Sequence, residues 1–315
     1  MYDDHLHQTD LADSLGFAVG ERKEERLKMK YVDLHCDTLT CGKWLKGEEA
    51  KLPFLHRNIT QISLEKLKKG GCYAQVFGLF SRSKIEGAWN FTVEKTEEFL
   101  SVKSEIEKAG IVPILAIEDG GSIEGDLKRL SYLIKKGVRI FGIAWNDENC
   151  LGYSCWQEGG LKPFGKEVVS RLLEEKVYPD ISHLSSLGVA DVLAMAREKR
   201  FPVIATHSLA KKVCPHRRNL TDEEIKKIAD LGGIIGVNFA PDFIGEKGIF
   251  AHIKHIKNVG GEEVLAIGTD FDGIENPVYS SAEEMPRFFE DMEREGFSAS
   301  TIEKLAYKNA ERLLL

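Results

Sequence analysis

From residue 31 onward, short apolar runs rich in β-branched residues alternate with longer segments whose apolar residues recur at helical spacing. The first pattern suits strands buried on both faces, and the second suits helices with one buried face. Eight runs read as strands: 31–34, 72–80, 111–117, 138–144, 177–182, 202–206, 233–239 and 264–269. Helices are predicted at 63–69, 93–109, 126–136, 165–176, 186–199, 221–231, 250–259 and 282–295, and a final one at 298–314 is expected to pack across the barrel. In the segment 165–176, Val168, Leu172 and Leu173 show the helical spacing directly. Eight strands alternating with helices, with no Pro- or Ser-rich linker between them, predict an α/β fold: a single (β/α)8 TIM barrel over residues 31–315. A doubly wound open sheet is the architectural alternative that periodicity alone leaves standing. Residues 1–30 do not fit the alternation and read as an appendage. A surface helix, a disordered arm, or a stretch ahead of a true start at Met29 is expected there.

The candidate chemistry is positional. His35 and Asp37 follow the first apolar run, Glu118 the third, His183 the fifth and His207 the sixth. In a barrel these strand ends converge on one mouth, which is where active sites of this fold sit. Any one of the five is more simply a hydrogen-bonded core residue. Five of them at the same end of different strands reverse that preference. His35 and Asp37 lie two apart on an extended segment, so both side chains project to one face. Imidazole and carboxylate together suit zinc and its first-row neighbours. Three histidines with two carboxylates exceed what one tetrahedral ion needs. Two zinc ions are therefore expected, with Glu118 as the bridge. Two metals about 3.5–4 Å apart can clamp a water and lower its pKa to about 7, generating hydroxide.

Asp270 closes the eighth run and reaches the same mouth, where a carboxylate can take a proton from water and hand it to a leaving amine. Asp272, two residues on, competes for that role, although a turn carboxylate before Gly273 is its simpler reading. Arg218 lies in the loop after His207, where its guanidinium could grip a substrate carboxylate. A solvated loop arginine is an equal reading.

Composition removes other classes. Hydrophobic residues at 43% and charged residues at 30% belong to a globular chain with a sizeable core. A net charge of −7 without a basic block argues against a nucleic-acid partner. Six scattered cysteines, Cys36, Cys41, Cys72, Cys150, Cys155 and Cys214, read as reduced thiols. No signal-like, anchor-like or membrane-spanning run stands out, so a cytoplasmic location without a membrane partner is expected. The sequence allows a homodimer without marking one.

Val-Asp-Leu-His35-Cys-Asp37, Ala-Ile-Glu118-Asp-Gly-Gly, Pro-Phe-Gly-Lys-Glu-Val-Val at 163–169, Asp-Ile-Ser-His183, Thr-His207-Ser, Arg217-Arg218-Asn219 and Gly-Thr-Asp270-Phe-Asp-Gly occur in order along the chain. From Tyr31 to about Arg312 it thereby resembles the membrane (renal-type) dipeptidase family, peptidase family M19, of the amidohydrolase superfamily. The resemblance implies hydrolysis of dipeptides, commonly with tolerance for a D-residue at the C-terminal position. It implies one zinc on His35, Asp37 and Glu118 and another on Glu118, His183 and His207. Arg218 would bind the substrate's terminal carboxylate, and Asp270 would be the acid/base. One departure stands out: many members carry a histidine after the fourth strand that steadies the carbonyl oxygen, and this chain has Trp145-Asn146 there. Asn146 could donate a hydrogen bond to substrate in its place, while Trp145 could line the pocket. Two other functions are kept in view. A metal-dependent phosphoesterase on a related barrel would open with His-x-His, where this chain has Asp37. A zinc-holding barrel with weak or no catalysis would fit the missing histidine but not the intact Asp270 and Arg218.

Overall fold

All eight apolar runs become strands, and they pair in parallel and in sequence order until the last meets the first, closing a barrel. A computed structural model describes residues 29–45, 47 and 51–315. The strands are β1 (Tyr31–Cys36), β2 (Cys72–Leu79), β3 (Val112–Ile117), β4 (Val138–Gly142), β5 (Tyr178–Asp180), β6 (Ile204–Ser208), β7 (Ile234–Val237) and β8 (Leu265–Ile267). Around them lie α1 (Leu64–Gly70), α2 (Ala88–Lys108), α3 (Leu127–Lys135), α4 (Pro163–Glu174), α5 (Ser186–Lys199), α6 (Asp222–Asp230), α7 (Ile249–Gly260) and α8 (Met285–Arg294). Closure excludes the open doubly wound sheet.

Two packed layers follow from the period-two alternation of the strands. Even-numbered residues, among them Val32, Leu34, Val76, Ile114, Ile140, Ile204 and Ile234, form one buried cluster inside the barrel. Odd-numbered ones such as Phe77, Leu115, Phe141, Ile235 and Ile267 pack in the other, under the helices. Helix starts are fixed by side-chain caps: Ser63, Asp126 and Ser185 accept from Lys66, Lys128 and Gly188 amides, and Thr221 with Glu224 forms a reciprocal capping box. The predicted helix 186–199 is matched at both ends by α5. Others shift. α2 begins at Ala88, five residues before the expected 93, because its N-cap is Gly87 and no capping side chain marks the start. β5 stops at Asp180, where the chain turns and His183 adopts a left-handed φ of 68°.

The last helical run consists of α9 (Ala299–Glu303), a π-helical turn (Lys304–Lys308) and α10 (Asn309–Leu314). It packs across the barrel as expected, closing its N-terminal end. Ala310 and Leu314 join the interior cluster. Asn309 Nδ2 donates to the Leu265 carbonyl at 2.9 Å, and the Tyr178 hydroxyl donates to the Leu313 carbonyl at 2.6 Å. The expected appendage at residues 1–30 lies outside the described residues except for Met29 and Lys30. Those two belong with the barrel: Met29 packs on its core, and the Lys30 ammonium pairs with Glu311 at 2.9 Å. All six cysteines are free thiols. Among the described residues, no helix is long and apolar enough to cross a membrane.

Candidate active site

At the C-terminal mouth of the barrel the chain ends that carry His35, Asp37, Glu118, His183, His207 and Asp270 converge. Glu118 follows β3 on the inward, even parity, so plain alternation aims it at the centre. His35 and His207 are odd-numbered and would face the helices. Register shifts in β1 between Asp33 and Cys36, and in β6 between Ala205 and Ser208, turn them inward. Gly78 on β2 leaves room for the His35 ring, which a Cβ there would meet at 2.9 Å. Gly273 does the same for two carboxylates, since a side chain at that position would collide with both Asp37 and Asp270.

Glu118 Oε1 lies 3.7 Å from His35 Nε2, 3.2 Å from His183 Nε2 and 3.8 Å from His207 Nε2. His35 Nε2 is also 3.8 Å from Asp37 Oδ2 and 4.0 Å from Asp270 Oδ1. Two sets of ligand atoms are close enough to share an ion: His35, Glu118 and His207, and His35, Asp37 and Asp270. All five expected ligands are brought together, and Asp270 stands among them rather than behind them.

The hydrogen bonds fix the protonation of two rings. Thr206 Oγ1 gives its hydrogen to Asp180 Oδ2 at 2.5 Å, so it accepts from His207 Nδ1 at 2.8 Å. His183 Nδ1 lies 2.9 Å from the side-chain oxygen of Asn146 and donates to it. Both rings therefore carry hydrogen on Nδ1, and their two Nε2 lone pairs face each other at 2.8 Å. Two acceptors at that separation need a cation between or beside them. His35 Nε2 and Asp37 Oδ1 are buried without a hydrogen-bond partner. Buried polar atoms without partners in a mixed imidazole and carboxylate set are what a first-row metal would satisfy. The donor set fits the group.

Electrostatics agree. Burial pushes the Glu118 carboxyl well up, and the neighbouring Asp37 adds to the shift. Burial also lifts the Asp270 carboxyl to about 6. Burial opposes a charge on His35, yet Asp37, Glu118 and Asp270 outweigh it and raise the ring to about 10. Burial, with Arg218 and His35 nearby, holds His183 and His207 well below the usual histidine range. Three crowded carboxylates thus lack enough positive charge from the chain itself.

The site opens into a cavity of about 550 Å³ whose walls include Phe80, Trp145, Asn146, Trp156, Arg218 and Phe243. A larger depression of about 760 Å³ between α5 and α6 holds none of these groups. Arg218 is 4% exposed rather than solvated. It donates to the His207 carbonyl at 3.3 Å, and its Nε is buried without a partner. Asp272 is anchored by Thr38 Oγ1 and the Gln61 amide, both at 2.6 Å, which supports its reading as a structural carboxylate. Trp145 lines the cavity as expected, with its ring centroid 6.1 Å from that of His183.

Several contributors were not singled out from the sequence. Asp180 and Thr206 set the His207 tautomer, and Asn238 Nδ2 donates to Asp270 Oδ2 at 2.9 Å. Each is a polar residue at a strand end, the same signal that marked the ligands.

Residues 92–314 match the profile of the membrane dipeptidase family, peptidase family M19. A Klebsiella pneumoniae protein known as an uncharacterized protein of the pqqA 5′ region is 31% identical over 67% of this chain and 85% of its own length. An uncharacterized dipeptidase of Schizosaccharomyces pombe is 29% identical over 51% of this chain and 41% of its own. A Rhodobacter sphaeroides metallopeptidase, solved with a phosphinate mimic of L-Ala-D-Ala, shares the fold at a TM-score of 0.78 and 22% identity, covering 91% of this chain and 99% of that one. The probable dipeptidase PvdM of Pseudomonas aeruginosa also has a TM-score of 0.78, at 17% identity over 95% of this chain and 98% of its own.

Proposed function

The chain belongs to the membrane dipeptidase family, peptidase family M19, and from that premise we propose that it hydrolyses dipeptides at a centre of two zinc ions. The observation that carries the reading is the pair of Nε2 lone pairs on His183 and His207, facing each other beside Glu118. In this proposal His35, Asp37 and Glu118 hold one ion, and Glu118, His183 and His207 hold the other. Bound zinc would supply Lewis acidity toward the scissile carbonyl and lower the pKa of a water in the site.

The chain's own side chains do the rest. Arg218, buried with an unpartnered Nε, receives the substrate's C-terminal carboxylate and so places the peptide bond over the ligands. Asp270 has one oxygen held by Asn238, which leaves Oδ1 to take a proton from water and pass it to the departing amine. The amide nitrogen of Asn146, whose oxygen is already engaged, donates to the carbonyl oxygen. Phe80 and Trp145, 4.4 Å apart between ring centroids, wall off one side from water. The Rhodobacter relative's ligand motivates a further part of the proposal, that a D-residue is accepted at the C-terminal position.

The test is a panel of L,L- and L,D-dipeptides with a phosphate monoester as control, assayed on metal-stripped and zinc-restored protein. Dipeptide cleavage that disappears on stripping and returns with zinc is expected. Cleavage of the phosphate ester alone, or none after restoration, would refute the proposal.

A further inference from the structure

We infer that Asn146 is a positioning residue for the metal centre: its side-chain oxygen fixes the tautomer of His183 and ties Trp156, with the loop that carries Arg218, to that same ligand. The inference rests on the metal-centre reading above and concerns a function for the amide oxygen, separate from the nitrogen's contact with substrate.

The orientation of the amide follows from chemistry. The indole N–H of Trp156 can only donate, so the Asn146 atom it meets at 3.1 Å is the oxygen. That oxygen is also 2.9 Å from His183 Nδ1, which must then carry the hydrogen. The opposite ring nitrogen is left with its lone pair toward Glu118 and His207, as a metal ligand requires. Turning the amide over would set its N–H2 group against the Trp156 N–H, donor facing donor.

Trp156 is held to the same place by its backbone. The Cys155 amide donates to the His183 carbonyl at 2.6 Å, Ser154 bridges to Leu184, and Ser154 Oγ donates to the Asn146 carbonyl at 2.9 Å. The outer face of the indole receives the Arg217 guanidinium at 4.5 Å from the ring, and His216 meets its edge at 6.0 Å. Arg218 comes next in the chain. One amide oxygen thus links a metal ligand, an aromatic strap and the anion-binding loop.

The measurement is zinc release from the fully loaded chain against a chelator series, with zinc counted per chain. Asn146→Leu, which fills similar space without an acceptor, should lose one zinc at about 10–100-fold weaker chelation while the second is retained as in the parent. Asn146→Asp, which keeps an acceptor for both donors, should stay within a few-fold of the parent. Trp156→Ala should keep its zinc but raise KM several-fold with kcat little changed, because it frees the loop rather than the ligand. Equal zinc loss from Asn146→Leu and Asn146→Asp, or no loss from Asn146→Leu, overturns the inference. So does a Trp156→Ala variant with an unaltered KM. A parent protein that holds no zinc would instead refute the metal-centre reading itself. If Asn146→Leu does not fold, Asn146→Ala makes the same comparison with Asn146→Asp.

Discussion

Asp270 is held by groups from two neighbouring segments: its amide donates to the His35 carbonyl, one carboxylate oxygen accepts from Asn238, and the other faces His35. It sits at a left-handed φ of 63°, a conformation that costs a non-glycine residue on the order of 1–3 kcal/mol and that recurs at functional sites. Asp270→Asn preserves size and the bond geometry while removing the ability to carry a proton. We expect kcat to fall by about 10²–10⁴ with zinc content unchanged, measured by steady-state kinetics beside metal analysis. Arg218→Ala should act differently. Its loss should appear mainly as a higher KM for the free dipeptide and should vanish for the dipeptide amide, which has no carboxylate to bind. An equal penalty on both substrates would make Arg218 structural. At this scale the candidate ligands were legible, because a histidine or carboxylate ending an apolar run is conspicuous. Their protonation was not. It depends on Asn146, which meets His183 from another strand end, and on Thr206, the residue before His207, whose hydrogen is drawn away by Asp180 on the neighbouring strand; neither distant partner leaves a spacing in the chain to read.

Strand parity explains what could be read at the next scale. Glu118 obeys the alternation of β3, whereas His35 and His207 reach the centre only because β1 and β6 slip register. Alternation alone would have placed both rings under the helices, and a bulge has no composition that announces it. Helix positions were easier where a cap and an amphipathic stripe agree, as at Ser185 and α5, and harder at α2, whose start has no capping side chain. The closing helix was legible as a helix packed across the barrel but not in which end it closes, since apolar residues at helical spacing do not say which surface they cover. Its fit can be measured. Leu314→Ala should destabilise the protein by about 2–4 kcal/mol, read as a lower urea midpoint at an unchanged m-value. Zinc content should be normal, because Leu314 lies at the barrel end opposite the ligands.

For the molecule as a whole, the crowded carboxylates at the mouth predict that the proposed metal centre contributes to stability. Zinc at about 1,000 times its dissociation constant adds roughly 4 kcal/mol to the folded state. For a chain of 315 residues, at about 2.1 cal/mol/K of unfolding entropy per residue, that is a rise in Tm of about 6 °C over the metal-free protein, checked by thermal unfolding with and without chelator. A shift under about 2 °C would mean that the centre does not bind zinc tightly. Fold class was legible because eight alternations without a linker suit closure, though closure itself depends on β8 pairing with β1, a contact between residues more than 200 apart. The placement of α10 then orders events during synthesis. The inner faces of β1 to β8 have no floor until Ala310 and Leu314 arrive, after every strand has been made. At ~5–20 residues per second, roughly 15–60 s separate the appearance of β1 from that of α10. The ribosome therefore presents a nearly complete set of strands with an open apolar interior. His35, among the first of the ligands to emerge, must wait for nearly the last residues before its partners are fixed. On the proposed reading of the site, metal capture in the native geometry is consequently a late event in the life of the new chain.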